Sequence, residues 1–388
     1  MSDLKKGISQ FLLIGKPIIN DYTFKIDEEN ASNSWKYSML NLGINCGDYG
    51  TVYCEMMGGY GLTESYENLI YVHGKKKNED GKMVDDWKDS RKIAWEDRLN
   101  EDLYDEIGDN CFITIHIEND AKGNKFIKKF LTEYDAIGYI EKHLTEDMIV
   151  CIKGKFEYSD YNGTQVKKKI QSIFLSKAKE ESDFRATFSQ TILVDKDSLG
   201  KLDKDKNTYP IDGYIVEYVH SPKIDGKKVV IKENCLFLQE FEFEVKDIEK
   251  TKRLVERFFA PNCKTVFEIT VDGIISSGKK TISATYNDLP DDIKALVDAE
   301  ALTEEEALER CVGYTGGSSE TFIIKNPRIN KAKGDEPATI AFDKDKYTTD
   351  DFIMYHDLLP DSEDSNEDDE LSENDFNDAD IDDILNVN

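Results

Sequence analysis

Four lysines and two tyrosines pose the first chemical question. Residues 148–176 read MIVCIKGKFEYSDYNGTQVKKKIQSIFLS, two alternating arms around Ser159-Asp160-Tyr161-Asn162-Gly163. Asn-Gly is a strong signal for a tight hairpin turn. Side chains alternate across a strand, so Val150, Ile152 and Phe156 share one face of the first arm, and Cys151, Lys153 and Lys155 the other. In the second arm Val166, Lys168 and Ile170 fall on one side and Gln165, Lys167, Lys169 and Gln171 on the other. The hairpin is therefore expected to present Lys153, Lys155, Lys167 and Lys169 outward, beside Tyr158 and Tyr161. Ammonium groups meet phosphates and aromatic rings stack on bases, so the pattern suits an unpaired nucleic-acid strand. Lys155 and Lys167, nearest Tyr161, are the lysines expected closest to its path.

Other aromatics carry the same chemistry. In the stretch 35–44, Leu40, Leu42 and Ile44 alternate against Trp35, Tyr37, Met39 and Asn41. A turn holding Tyr49 leads into a second strand, 51–57, that holds Tyr53. Trp35, Tyr37, Tyr49 and Tyr53 are candidate stacking rings. Secondary phosphate contacts are assigned to Lys75, Lys76 and Lys77, and to Lys223, Lys227 and Lys228. The run Lys223-Ile224-Asp225-Gly226 also matches the KxDG core of nucleotidyltransferases such as DNA ligases, where the lysine becomes adenylylated. Four residue types are weakly specific, and Asp272-Gly273-Ile274 departs from the Glu-Gly pair such enzymes place downstream. No P-loop, GxSxG elbow or HExxH helix is present. No catalytic residue is assigned and no cofactor is expected.

The chain has 388 residues, 39% hydrophobic, enough for one or two cores. Its net charge is −29; residues 361–388 supply 13 acidic and no basic residues, which leaves −16 for the rest. An acidic body argues against broad, non-specific duplex binding and confines polyanions to places where lysines cluster. Seven scattered cysteines without CxxC spacing, and five isolated histidines, read as reduced core thiols and no metal site. No apolar run approaches the roughly 20 residues of a spanning helix, and no leader is expected.

Stepping along the elements, residues 1–33 read as a polar arm. Residues 34–178 read as a first domain with a mixed-charge insertion over 61–110. Three strands (35–44, 51–57 and 111–117, the last continued by 126–131) precede a helix at 134–144 and the hairpin above. A charged linker spans 179–208. The order then returns over 209–332, with strands at 209–219, 228–231 and 235–245, a helix at 247–259, and strands at 264–275 and 279–285. Ile152-Lys153-Gly154 and Val271-Asp272-Gly273 occupy matching places. Residues 289–311 read as a helical hairpin, 321–329 as a strand, 333–360 as a linker, and 361–388 as a disordered acidic tail. Five strands with a helix between the third and fourth is the OB-fold order, whose oligonucleotide site is built on the second and third strands and the loops joining strands one and two and four and five. The expected fold is mainly β with minor α: two tandem OB-fold-like five-stranded barrels. The expected ligand loops are 45–51 and 158–164 in the first, and 220–228 and 276–280 in the second.

The stretches SWKYSMLNLGINC (34–46) and FLTEYDAIGYIEKHL (130–144), the hairpin that follows, and the Asp/Glu-rich end resemble phage-type single-stranded-DNA-binding proteins. The resemblance covers about the first 180 residues and the tail. It implies a non-enzymatic protein that coats single-stranded DNA in phage or plasmid replication, recombination and repair, in the bacterial host cytoplasm. It also implies a tail that recruits replication and recombination proteins and competes with DNA for the basic groove. Bacterial single-strand binders end in a Pro-Phe pair; here Phe376, Asp382, Asp383, Ile384 and Leu385 are the candidate docking residues. The alternative is an acidic adaptor that binds proteins and never touches DNA.

Overall fold

The computed structural model describes residues 4–64, 66–119, 122–160, 164–204, 206–220, 223–224, 227–228, 230–262, 264–278, 291–298, 319–332 and 337–358. Strands β1 (Ser9–Ile18), β2 (Phe24–Glu29), β3 (Trp35–Asn45) and β4 (Thr51–Gly61) come first. Two hairpins follow, β5 (Leu69–Lys77) with β6 (Met83–Ala94), and β7 (Ile113–Asn119) with β8 (Lys125–Phe130). Helix α1 (Glu133–His143) leads into β9 (Val150–Asp160) and β10 (Thr164–Leu175). The second half holds β11 (Arg185–Val194), β12 (Thr208–Val219), β13 (Glu233–Glu244), α2 (Ile248–Phe259) and β14 (Thr265–Gly278). It ends in α3 (Asp291–Asp298), β15 (Ser319–Pro327) and β16 (Phe342–Thr348).

Pairing turns these strands into two rings of OB-fold order. In the first, β1 pairs β3, β3 pairs β4, β10 pairs β9, and β9 returns to β1, all antiparallel. The ring closes through one parallel register pair, Lys169 opposite Glu55, between β10 and β4. In the second, β11, β12, β13, β15 and β14 repeat that order, with β13 and β15 parallel and β14 returning to β11. Helices α1 and α2 each sit between the third and fourth strands of their ring. Thr132 and Asp247 cap them by accepting from the backbone amides of Asp135 and Lys250. Of the apolar faces expected from the spacing, Ile137, Ile140 and Leu144 in and after α1 and Val255 and Phe258 in α2 are buried, Leu254 is half-buried, and Ile248, expected on the same face, is exposed at the start of α2.

Two stretches read from sequence as irregular supply the first strand of each ring. Residues 9–18, expected in a polar arm, form β1; residues 185–194, expected in a linker, form β11. In the apolar run Phe11-Leu12-Leu13-Ile14, Phe11 and Leu13 are buried and Leu12 and Ile14 half-buried, and β1 is paired by β9 on one edge and by β11 on the other. The expected third strand, 111–117, is displaced accordingly. It is β7, which pairs β8 and runs parallel to β10 outside the ring. The last strand of the second ring is β15, and the expected strand at 279–285 lies outside the described residues, as does most of 289–311. Residues 342–348, expected in a linker, pair with β14, and Tyr347 is buried there. Among the described residues no helix is long and apolar enough to cross a membrane.

The two rings share one core. Phe11 and Phe188 face each other across the β1–β11 ladder. Phe156 touches both Phe11 and Phe322 at 5.5 Å between ring centroids, and Phe322 lies 5.4 Å from Phe188 and 5.9 Å from Phe241. Each ring leaves a glycine hole for the phenylalanine on its first strand. A Cβ at Gly154 would lie 2.0 Å from the Lys169 carbonyl oxygen and 2.5 Å from the Phe11 ring. At Gly273 it would lie 2.4 Å from the Ile323 carbonyl oxygen and 2.5 Å from the Phe188 ring. Gly154 and Gly273 are the matching residues of the internal repeat. Lys168 and Glu320 add an ion pair of 2.5 Å between the rings, with only 7% and 19% of their side chains exposed.

Gly154→Ala should therefore cost about 2 kcal/mol in urea unfolding, as overpacked core sites do. Gly138→Ala, in α1 where a Cβ meets nothing within 4 Å, should gain about 1 kcal/mol. A Gly154→Ala protein as stable as the parent would remove the glycine-hole argument.

Candidate nucleic-acid interface

The β9–β10 hairpin forms as its alternation predicts, with one change of parity. Ile152, Phe156 and Tyr158 point inward and are buried, while Lys153 is exposed and Lys155 half-buried on the outer face. Tyr158 shares parity with Phe156, so its ring belongs to the core and has no face left for a base. Its hydroxyl lies 3.4 Å from Gln190 Oε1. On β10, Lys168 and Ile170 point inward, and Lys167 and Lys169 sit half-buried on the outside. A bulge between Ile170 and Ser172 then reverses the alternation, which buries Ile173 and brings Phe174 to the outer face opposite Cys151.

Carboxylates occupy part of this outer face. Lys155 pairs with Glu157 at 3.0 Å, and Lys169 with Glu55 at 3.0 Å. Lys167 stands opposite Glu157 in the ladder. Lys153 is different: it borders an open groove of about 640 Å³ together with Lys125 of β8 and Lys177 beyond β10. Phe174 and His116 line the same groove. Among the described residues, no carboxylate lies within ion-pair distance of Lys125, Lys153 or Lys177. Asp183, which also borders the groove, is held below the usual carboxylate range by the Lys179 backbone amide it accepts from at 3.0 Å.

Sequence reasoning found Lys153 but missed Lys125, Lys177, Phe174 and His116. Phe174 was hidden by the bulge. Lys125 and His116 come from a hairpin whose parallel seat against β10 no spacing announces.

The other candidates scatter. Trp35 is half-buried and its indole covers Gly59, where a Cβ would lie 2.9 Å from the ring. Tyr37 is 5% exposed, and burial, helped by nearby Glu28, raises its pKa. Tyr53 is 48% exposed on the outer face of β4. With β1 in the ring, the turn at 45–51 joins the second and third barrel strands, and 19–34 becomes the first loop. That turn packs against the second barrel: Tyr49 lies against the shared core, and a Cβ at Gly50 would meet the Ser277 carbonyl oxygen at 1.9 Å.

Lys75, Lys76 and Lys77 lie at the end of β5, with Lys75 paired to Asp109 and Lys76 to Asp86 at 3.1 and 3.0 Å. Lys223 faces Lys228 in a two-residue ladder that includes Lys227; their side chains are outside the described residues. Tyr161, Phe376, Asp382, Asp383, Ile384 and Leu385 also lie outside them.

A family model described as YorF matches residues 105–277. No curated protein matches the chain. Two solved structures of the single-stranded DNA binding protein from Thermus aquaticus are similar at 10% sequence identity. A deletion mutant covers 70% of this chain and 88% of its own with a TM-score of 0.30. The wild type covers 71% and 87% with a TM-score of 0.28. Likeness of that size decides nothing, and the fold and site rest on this chain's own residues.

Burial pushes the Tyr158 hydroxyl far above its ordinary value of 10.0. The folded protein then keeps a proton that the unfolded chain releases, so the contribution is whole below pH 10 and is lost as pH rises beyond it. Urea midpoints should fall between about pH 9 and about pH 11, by at most about 1.4 kcal/mol per pH unit for each such group. Tyr158→Phe should make that fall shallower, and an unchanged profile would mean that the ring ionises in place.

Proposed function

We propose that this chain is a binding protein for single-stranded nucleic acid, with the groove of Lys125, Lys153 and Lys177 as its principal phosphate track and Phe174 as an apolar floor. The observation that carries the reading is electrostatic. In a chain of net charge −29, three lysines stand around one groove with no carboxylate within ion-pair distance of them among the described residues, Asp183 being the one acidic side chain that lines it. A flexible polyanion gains most where cations are unpaired, because no internal ion pair has to be broken first. The outer-face lysines Lys155, Lys167 and Lys169 extend the track along the hairpin, and Tyr53 and Tyr161 offer rings for stacking.

In the finer reading the strand is DNA, coated and protected during phage or plasmid replication, recombination and repair in the bacterial cytoplasm. Residues 361–388 act as a tethered polyanion that competes for the groove and, through Phe376, Asp382, Asp383, Ile384 and Leu385, docks replication and recombination proteins. Two OB-like domains remain the proposed organisation, with the bounds 34–178 and 209–332 each extended upstream to take in β1 and β11.

Binding of labelled oligo(dT), followed by anisotropy over a salt series, tests the reading. Replacing Lys125, Lys153 and Lys177 together by Ala should weaken low-salt binding and reduce the slope of log K against log salt by about 2, about 0.7 for each lost phosphate contact. An unchanged slope would remove the groove from the interface. No binding by the parent chain at low salt, even with 361–388 removed, would overturn the function itself. Removing the tail alone should tighten binding, and unchanged affinity would exclude self-competition.

A further inference from the structure

The β5–β6 hairpin lies outside both rings and has two unlike faces. Its inner face, through Val72 of β5, joins Ile107, Phe112 and Leu131 in a small core of its own, all at most 7% exposed. The outer face carries Tyr71 and Trp87, which are 66% and 70% exposed. A bulge produces this arrangement. His73 pairs Ser90 and the next residue, Gly74, pairs Asp86, so residues 87–89 have no partners opposite and are thrown outward. The Trp87 indole lands on the His73 ring, 4.0 Å between centroids and 31° from parallel.

His73 is a fixed pedestal. Its Nε2 lies 3.0 Å from Asp85 Oδ2, its Nδ1 lies 3.1 Å from Cys111 Sγ, and its carbonyl accepts from the Gly108 amide at 2.7 Å. Asp85 in turn accepts from the backbone amides of Asp109 and Asn110 at 2.8 and 3.0 Å, and from the Asn110 side chain at 2.6 Å. Burial alone would raise the Asp85 pKa, but these bonds, led by His73, outweigh it and hold the carboxyl at about 2, so the Asp85 carboxylate stays ionised at neutral pH. Such a network would be superfluous for an indole meant to fill space, since one indole face is left bare to solvent. Trp95 shows the contrast: Tyr60 at 4.8 Å and Arg98 at 4.5 Å cover it.

Tyr71 is two residues before His73 and so shares its face, about 6.6 Å along the strand. Lys92, its register partner, places its ammonium 5.3 Å from the Tyr71 ring centroid. Residues 69–94 hold seven basic and five acidic side chains, a cationic excess in an anionic chain. A cavity of about 240 Å³ lies between the hairpin's anchor and the outer face of β9 and β10, lined by Asn110, Cys111 and Phe112 on one side and by Lys155 and Lys169 with Glu157, Glu55 and Glu133 on the other.

We propose that Trp87 and Tyr71 form a second base-stacking site, taking unpaired bases of a single strand that runs from the Lys153–Lys155 face of the first barrel onto the β5–β6 hairpin. The inference rests on the single-strand-binding reading above. The cation beside Tyr71 serves the phosphate between two stacked bases, and the bare face of Trp87 accepts any base without hydrogen-bond readout.

The test uses the full chain with a short oligo(dT), enough for the groove alone, and a long one that reaches the hairpin. Tyr71→Ala with Trp87→Ala should weaken long-strand binding by about 30-fold or more and leave short-strand binding unchanged. Trp87→Phe should keep most long-strand affinity and lose most of the tryptophan quenching. Equal long-strand affinity of the double variant and the parent would overturn the inference while leaving the groove standing. Failure of the parent to bind any strand would overturn the underlying reading as well. Where the double variant does not fold, photocrosslinking of halogenated oligo(dT) to the parent decides: adducts on Trp87 or Tyr71 support the site, and adducts confined to the barrel overturn it.

Discussion

The ladder between β1 and β11 holds the molecule together. It runs from Ser9 opposite Gln190 to Ile14 opposite Arg185, and each of its strands is at once the first strand of a barrel and the partner of the other barrel's first strand. Phe11 and Phe188 meet at its middle, each lying over a glycine on the returning strand of its own ring. The glycines let the rings press into the sheet at van der Waals distance, which brings Phe156 and Phe322 into contact and fuses two small cores into one. A small five-stranded barrel buries a smaller share of its surface than a larger body does, so sharing a core raises the apolar area removed from water for both. The N-terminal lead-in extends the bond. Leu4 is 1% exposed within a cluster that also holds Leu193, Leu236 and Tyr347 of the second half, and Lys6 pairs with Glu217 of β12.

This dependence explains which parts of the fold were legible. Alternation located β4, β9, β10, β12, β13 and β14, whose side chains alternate in burial over much of their length, and β3, although its Tyr37 and Met39 are buried as well as the opposite Leu40, Leu42 and Ile44. The three-and-four spacing located α1 and α2 to within one residue. β1 escaped because it is apolar on successive residues, which hides the alternation of buried Phe11 and Leu13 with half-buried Leu12 and Ile14. β11 alternates clearly, with Ala186, Phe188, Gln190 and Ile192 inward, but it is flanked by charged runs and has a glutamine among its buried positions. Missing these two strands shifted the ring count by one and moved the turn at 45–51 from the ligand side to the seam between the barrels.

The candidate site was legible to the same degree. Residue types were read correctly as cations on a β-hairpin, but a sequence does not show which cation already has an anion beside it. Lys155, Lys169, Lys75 and Lys76 each sit within about 3 Å of a carboxylate, and Lys168 turns inward to meet Glu320. Lys153 does not, because the neighbouring positions across β10 are the bulge and Ser172. The bulge between Ile170 and Ser172 shapes the groove. It swaps Ile173 for Phe174 on the outer face, and it lets β7 take over from β4 beside β10, which carries His116 and then Lys125 to the groove.

Charge then acts as a selector. An acidic surface repels a polyanion at distances within the Debye length, so approach is favoured only where positive potential rises above that background. Ion-paired lysines contribute little to such a potential, since their fields largely cancel beyond a few ångströms. Three lysines that have no ion-pair partner among the described residues contribute more to it, and the low-dielectric wall beneath them, Phe174 and Ile14, concentrates their field. Duplex nucleic acid is a stiff rod and meets the surrounding carboxylates along its length, whereas an unpaired strand bends into the groove and avoids them. Under the proposed function, the negative charge of the body narrows the binding surface to this groove and favours a flexible strand over a duplex.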